Sequence, residues 1–232
     1  MSAWTEIDPR RLALASGALY LVIILLGISS EVALRGPLIA IGDPARTAVN
    51  IAAHETLFRL SLLADLGMVL ADVALAVLLL ALFWSVHPLM AALAAAFRLM
   101  QAATISANLL NQLDALLLLG APLEAVVAQP LILQAMTLHA HGYDLGLAFF
   151  ALNSVLVGLL LIRAPAFPAW LGIGVIGAGM VYFTGSTLRL LASDLVPIFA
   201  PAYALPLLAE TVLALWLLKL GLRGESRGLV AS

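Results

Sequence analysis

The feature that most constrains this chain is a recurrence of charge-free apolar runs, each close to the length needed to cross a bilayer. No charged residue occurs from Leu12 to Ser30, from Leu145 to Ile162 or from Ala164 to Leu188. A helix advances about 1.5 Å per residue and a bilayer core is about 30 Å thick, so about 20 apolar residues suffice to span it. Lipid offers the backbone no hydrogen-bond partner, which makes such runs helical. The composition agrees: 64% of the 232 residues are hydrophobic and 10% are charged, against about 25% charged in an ordinary soluble domain.

The breaks between the runs give an all-α, polytopic membrane helix bundle of about six transmembrane helices in a single domain covering 1–232. The expected spans are about 12–33, 57–86, 89–119, 142–162, 165–188 and 195–219. The first run lacks an Ala-x-Ala cleavage pattern and is followed by more spans, so it is read as a retained helix rather than a signal peptide. Gly36 to Ala53 holds Pro37, Gly42, Asp43, Pro44 and Asn50, turn chemistry that predicts a polar loop. His87-Pro88 divides the second and third helices into a hairpin. Pro130 interrupts the pattern ahead of the fourth span, where Leu131 to Leu138 reads as a helical extension. Gly172, Gly174, Gly177, Gly179 and Gly185 predict close helix contacts in the fifth.

Basic residues favour cytoplasmic loops. With both termini inside, Arg10, Arg11, Arg163, Lys219, Arg223 and Arg227 fall on the cytoplasmic side, and Arg35, Arg46 and Arg189 on the other. The expectation is therefore an N-in, C-in protein of the inner (plasma) membrane, with the lipid bilayer as its main partner. A net charge of −2 gives no basic surface for nucleic acid. With no cysteine there is neither a disulfide framework nor a thiolate ligand.

Charged groups inside a span cost several kcal/mol and normally face the bundle interior. Asp65 and Asp72 are seven apart, hence within roughly 20° of each other on one helix face. Arg98, Gln101, Asn108, Asn111 and Asp114 lie on the antiparallel neighbour. Counting from Pro88 at about 1.5 Å per residue puts Asp72 about 24 Å and Arg98 about 15 Å along their helices, an offset that an arginine side chain can bridge. The same count sets Asp65 level with Asn108 to Asn111. A polar brace and a proton or ligand pathway both fit this arrangement. Glu210, alone in the last span, either pins the sixth helix to the second or couples to a proton.

A second concentration gathers at the expected outer face. Glu31 and Arg35 end the first helix, and His54, Glu55 and Arg59 open the second. His139, His141, Tyr143 and Asp144 enter the fourth, with Arg189 and Asp194 nearby. Either a pocket or a hydrated rim follows.

Catalytic patterns are mostly absent. His54-Glu55 lacks the second histidine of H-E-x-x-H, since position 58 is Phe. There is no G-x-S-x-G elbow and no phosphate loop, and the only lysine is Lys219. Zinc held by His54, His141 and Asp144 is the one metal alternative; otherwise no cofactor is expected.

Three segments taken together, Asn50 to Arg59, Phe97-Arg98-Leu99 and His141 to Phe150, resemble the bacterial membrane-protein family called domain of unknown function 4386. Gly42-Asp43, Glu210 and Leu215 to Lys219 extend the likeness over nearly the whole chain. The resemblance implies a compact protein of about six spans, and it places Glu55, Arg59, Arg98, His141, Tyr143 and Glu210 on recurrent polar positions. His54 falls where variation is expected, which weakens the zinc set.

The leading expectation is a transporter-like or sensory protein with an outward-facing intramembrane pocket for a small polar or amphiphilic ligand. Its site would comprise Glu55, Arg59, Asp65, Asp72, Arg98, Asn108, His141, Tyr143 and Glu210. The alternatives are a metal-dependent intramembrane lipid hydrolase and a structural partner subunit.

Overall fold

A computed structural model describes residues 8–223, so Arg227 lies outside the described residues. The described chain is helical, without strands, and six helices are long and apolar enough to span a membrane. The protein is thus built as a multi-pass membrane protein. The first span is α1 (Pro9–Ile28), continued by a wider π-helical stretch (Ser29–Arg35) and a single 3-10 turn (Gly36–Leu38). Next come α2 (Pro44–Ala53), α3 (Glu55–Phe83), α4 (Pro88–Leu119), α5 (Ala125–Arg163) and α6 (Ala169–Leu191). Short turns carrying α7 (Val196–Phe199) lead into α8 (Ala204–Arg223).

The six long helices pack as a closed ring. α1 lies against α3, α3 against α4, α4 against α5, α5 against α6 and α6 against α8, and α8 returns to α1. Arg10 Nε donates to the Gly221 carbonyl at 2.6 Å, so both ends of the ring's chain meet on one side. Small residues make the seams. A Cβ built on Gly158 of α5 would strike the Gly172 carbonyl of α6, and one on Gly17 of α1 would meet the Ala214 carbonyl of α8 at 2.7 Å. Backbones this close are typical of helices whose association rests on packing rather than on exclusion from water. The outward faces remain apolar, with Leu25, Leu70, Leu110 and Leu117 all exposed, as lipid contact requires.

The segment expected as a polar loop is in part a helix. Asp43 caps α2 by accepting from the Arg46 amide at 2.9 Å, and Pro44 occupies its first turn, where a missing N–H costs nothing. Thr47, Ala48 and Ile51 recur at helical spacing and are buried, Ala48 and Ile51 in a cluster with Phe58, Leu116 and Ile132. That apolar face, set against α5, is what turns a loop-like composition into a helix.

Leu131 to Leu138 is the helical extension of the fourth span that the sequence suggested, and the helix is not broken ahead of it by Pro130. α5 runs 39 residues straight through it, or about 58 Å at 1.5 Å per residue. Pro130 is the sixth residue of the helix, so the single backbone bond it removes lies near the frayed start. The helix outruns a hydrocarbon core of about 30 Å and must tilt or protrude.

At the side where the termini meet, Trp216 Nε1 donates to the Ala166 carbonyl at 3.0 Å and Lys219 stacks over the Trp216 ring at 4.2 Å. Amphipathic rings beside a basic residue are common at a membrane interface.

Candidate functional site

Two polar centres lie inside the ring, both built on the α3–α4 pair. Asp65 and Asp72 are at 1% and 2% exposure on one face of α3. Facing them, Arg98, Gln101, Asn108 and Gln112 form a buried stripe along α4 at alternating spacings. These spacings of three, seven and four residues keep all four side chains on one helix face.

The first centre surrounds Arg98, which has no exposed surface. Its Nη2 meets Asp72 Oδ1 at 2.5 Å, as an ion pair rather than an aligned hydrogen bond. Nη1 donates to the Tyr20 hydroxyl of α1 at 3.2 Å. The guanidinium carbon lies 4.9 Å from the Tyr20 ring centroid and 5.0 Å from that of Phe150 on α5. The cation is therefore neutralised by one carboxylate and faced by two aromatic rings, each a favourable surface for positive charge. Its Nε–H is buried without an acceptor. A small cavity of about 10 Å³ adjoins Arg98, bounded by α3, α4 and α5.

Beyond Phe150 the chain of contacts continues to Glu210. The Phe150 ring takes the Tyr182 ring edge-on at 5.3 Å, and the Tyr182 hydroxyl donates to Glu210 Oε1 at 2.8 Å. Glu210 of α8 thus pairs with α6, not with the second span as the sequence suggested. The reason is ring closure, which brings α8 against α6 and α1 rather than against α3.

The second centre surrounds Arg35, which the sequence placed in the outer rim. Arg35 is instead at 3% exposure. Its Nη1 donates to Asp65 Oδ2 at 2.5 Å and to Ser30 Oγ at 3.0 Å. Its Nη2 reaches Glu31 Oε2 at 2.5 Å, and Glu31 is 65% exposed. The π-helical widening is the local cause, since extra residues per turn rotate Arg35 inward while Glu31 stays outside. Asp65 then accepts from Gln112 Nε2 at 2.8 Å. Gln112 Nε2 lies 3.2 Å from His139 Nε2, so that ring nitrogen is placed to accept. Asn108 donates to the His139 carbonyl at 2.8 Å and accepts from Asn111 at 2.9 Å. Asp65 accordingly finds Arg35 and Gln112 rather than the expected Asn108 to Asn111.

The remaining predicted residues are more dispersed. Asn108 joins the second centre through His139. The Tyr143 ring lies tilted against His139 with centroids 6.3 Å apart and points its hydroxyl toward Met68 Sδ. His141 is half-buried on the same helix. Glu55 and Arg59 are exposed and pair with each other at 2.6 Å, as their spacing predicted. Asp144 is buried and paired with Arg189 of α6. Among the described residues no group of three His, Cys, Asp or Glu side chains is placed to hold a metal ion, so His54, His141 and Asp144 do not assemble as a zinc set.

The sequence reading did not single out Tyr20, Gln112, Asn153 or Tyr182. Gln112 was the most accessible of these, because it extends the Arg98–Gln101–Asn108 stripe by one turn. Tyr20 and Tyr182 carry no such signal, since a tyrosine in an apolar span looks like packing until its partner is known.

Neither the curated proteins nor the solved structures contain a match to this chain. The family model described as Domain of unknown function (DUF4386) matches residues 15–221. That stretch runs from α1 into the last turn of α8 and contains both polar centres, and the chain belongs to this family.

Proposed function

We propose that this protein is a transporter-like or sensory component that binds a small polar or amphiphilic ligand in the polar interior of its helix ring. The observation that supports the reading is Arg98, a guanidinium with no exposed surface in mid-span whose Nε–H has no acceptor. Ionisable groups at this depth are costly and mark substrate or ion pathways by default. Stability alone is a weak reason to keep them, because a buried ion pair contributes little over apolar residues of the same volume. Here two such pairs occupy one bundle. With both termini cytoplasmic and the protein in the inner membrane, the Arg35 centre faces outward and Glu55, Arg59, His141 and Tyr143 lie toward the mouth of the pathway. Asp65, Asp72, Asn108, Arg98 and Glu210 form its interior.

The test uses the full chain in lipid nanodiscs, heated with acetamide, glycine or lysophosphatidylcholine as neutral, zwitterionic and amphiphilic probes. Binding to the folded state raises Tm with ligand concentration. A saturable rise that weakens in Tyr20→Phe and is lost in Arg98→Lys is expected. The absence of any saturable rise, or one indifferent to both substitutions, overturns the reading. In that outcome a structural partner subunit is favoured, a role supported by the tightness of the interior beside Arg98.

A further inference from the structure

The cavity beside Arg98 has a definite form. It runs from Ala76 to Phe83 on α3, from Ala91 to Arg98 on α4 and from Asn153 to Leu160 on α5. Each helix thus contributes a stretch seven residue steps long, or about 10 Å at 1.5 Å per residue. Alanines dominate the α4 wall, and a shaft remains where larger side chains would have closed it. Only Arg98 and Asn153 bring polar groups to it, and both come from the end away from the α3–α4 turn. Both are buried, at 0% and 1% exposure. Arg98 Nε and Asn153 Nδ2 each lack a hydrogen-bond partner.

A buried donor without an acceptor costs about 1–3 kcal/mol, and more when the group is charged. Two such donors lining one cavity of about 10 Å³ define a place for an acceptor of about that size. One water centre needs roughly 10–15 Å³ and at least two polar partners. The site's charge decides further. Asp72 already neutralises Arg98 at 2.5 Å, so a second anion would leave an uncompensated negative charge in the membrane interior. The lining holds the Arg98 guanidinium and no carboxylate, so a cation is repelled. A neutral oxygen fits, and water also suits the Asn153 amide in either orientation.

We infer that Arg98 Nε and Asn153 Nδ2 hold a single ordered water at the inner end of this alanine-lined shaft, in a site for one neutral hydrogen-bond acceptor. The water ties α4 to α5 where the two helices otherwise meet through apolar groups and the Phe150 ring. It also marks the position that a carbonyl or hydroxyl oxygen of an incoming ligand takes when it displaces the water, a step that rests on the ligand-binding reading. The water itself does not.

X-ray radiolytic hydroxyl labelling, read by mass spectrometry on the full chain in nanodiscs, tests the site without any ligand. Radiolysis of a bound water oxidises the side chains beside it. Leu79 and Val157 line the shaft within about one turn of its Arg98–Asn153 end, whereas the comparably buried Leu213 and Leu217 do not border it. Labelling of the first set several-fold above the second is expected. It should fall to the level of Leu213 in Asn153→Leu, which removes a donor, and in Ala95→Val, which narrows the shaft one turn from Arg98 and leaves both donors in place. Wild-type labelling no higher at the shaft than at Leu213 and Leu217 overturns the inference. So does labelling that persists unchanged in both variants. A labelled shaft in a protein that binds none of the probes above would retain the water and remove the ligand.

Discussion

The Arg98 guanidinium and the Asp72 carboxylate meet at 2.5 Å with both side chains at 2% exposure or less, linking adjacent helices in mid-span. Neither can be released to water without opening the ring. Removing one partner strands the other charge, at a cost of about 3–5 kcal/mol. Arg98→Met and Asp72→Leu should each lower stability by that order, and the double variant should recover most of it. Unfolding in mixed micelles, analysed as a double-mutant cycle, measures the coupling; additive losses would show that the pair does not act as a unit.

Arg35 divides its donors between a buried and an exposed carboxylate, and the two should not be equivalent. Glu31 is 65% exposed, so Glu31→Gln is expected to cost at most about 1 kcal/mol, and less at high salt. Asp65→Asn removes the buried counter-charge and disturbs Gln112 as well, so it should cost several times more. Thermal unfolding of the two variants at low and high salt checks the ranking, and equal losses would contradict this account of the Arg35 centre.

The Gly158–Gly172 seam admits no side chain, because the obstacle is backbone rather than a movable rotamer. Gly158→Ala should destabilise the protein by about 1–3 kcal/mol through forced separation of α5 and α6. Gly174→Ala, on the same α6, places its Cβ at 3.7 Å from the Ala209 Cβ, an ordinary contact, and should be nearly silent. Melting temperatures of the two variants separate a packing seam from a general intolerance of alanine.

Glu55 and Arg59 form an exposed pair on the first turns of α3. Such pairs on a helix surface contribute about 0.3–0.5 kcal/mol. Glu55→Gln and Arg59→Gln should therefore leave unfolding almost unchanged. If the pair organises the mouth of a ligand pathway, the same variants shift the concentration dependence of the probe-induced rise in Tm. A large loss of stability would instead assign the pair a structural role.

The sequence by itself determined the spans, the charges that cannot face lipid, and one partnership between them. Asp72 and Arg98 were matched by counting along two helices because only residues 84–87 separate α3 from α4, so a short connection fixes their register. The α2 helix and the start of α5 ahead of Pro130 were misread for a related reason, although the helical extension over Leu131 to Leu138 was legible. Local turn chemistry was visible, but the apolar face of α2 pressed against α5, and the position of Pro130 near a helix start, were not. Only the tertiary structure decided the rest. Arg35 turns inward because α1 widens into a π-helical stretch, and Glu210 meets Tyr182 because α8 closes the ring against α6 and α1. Periodicity reports which face of a helix is buried. It carries no information on which distant helix will cover that face, and that choice follows from packing of the whole ring.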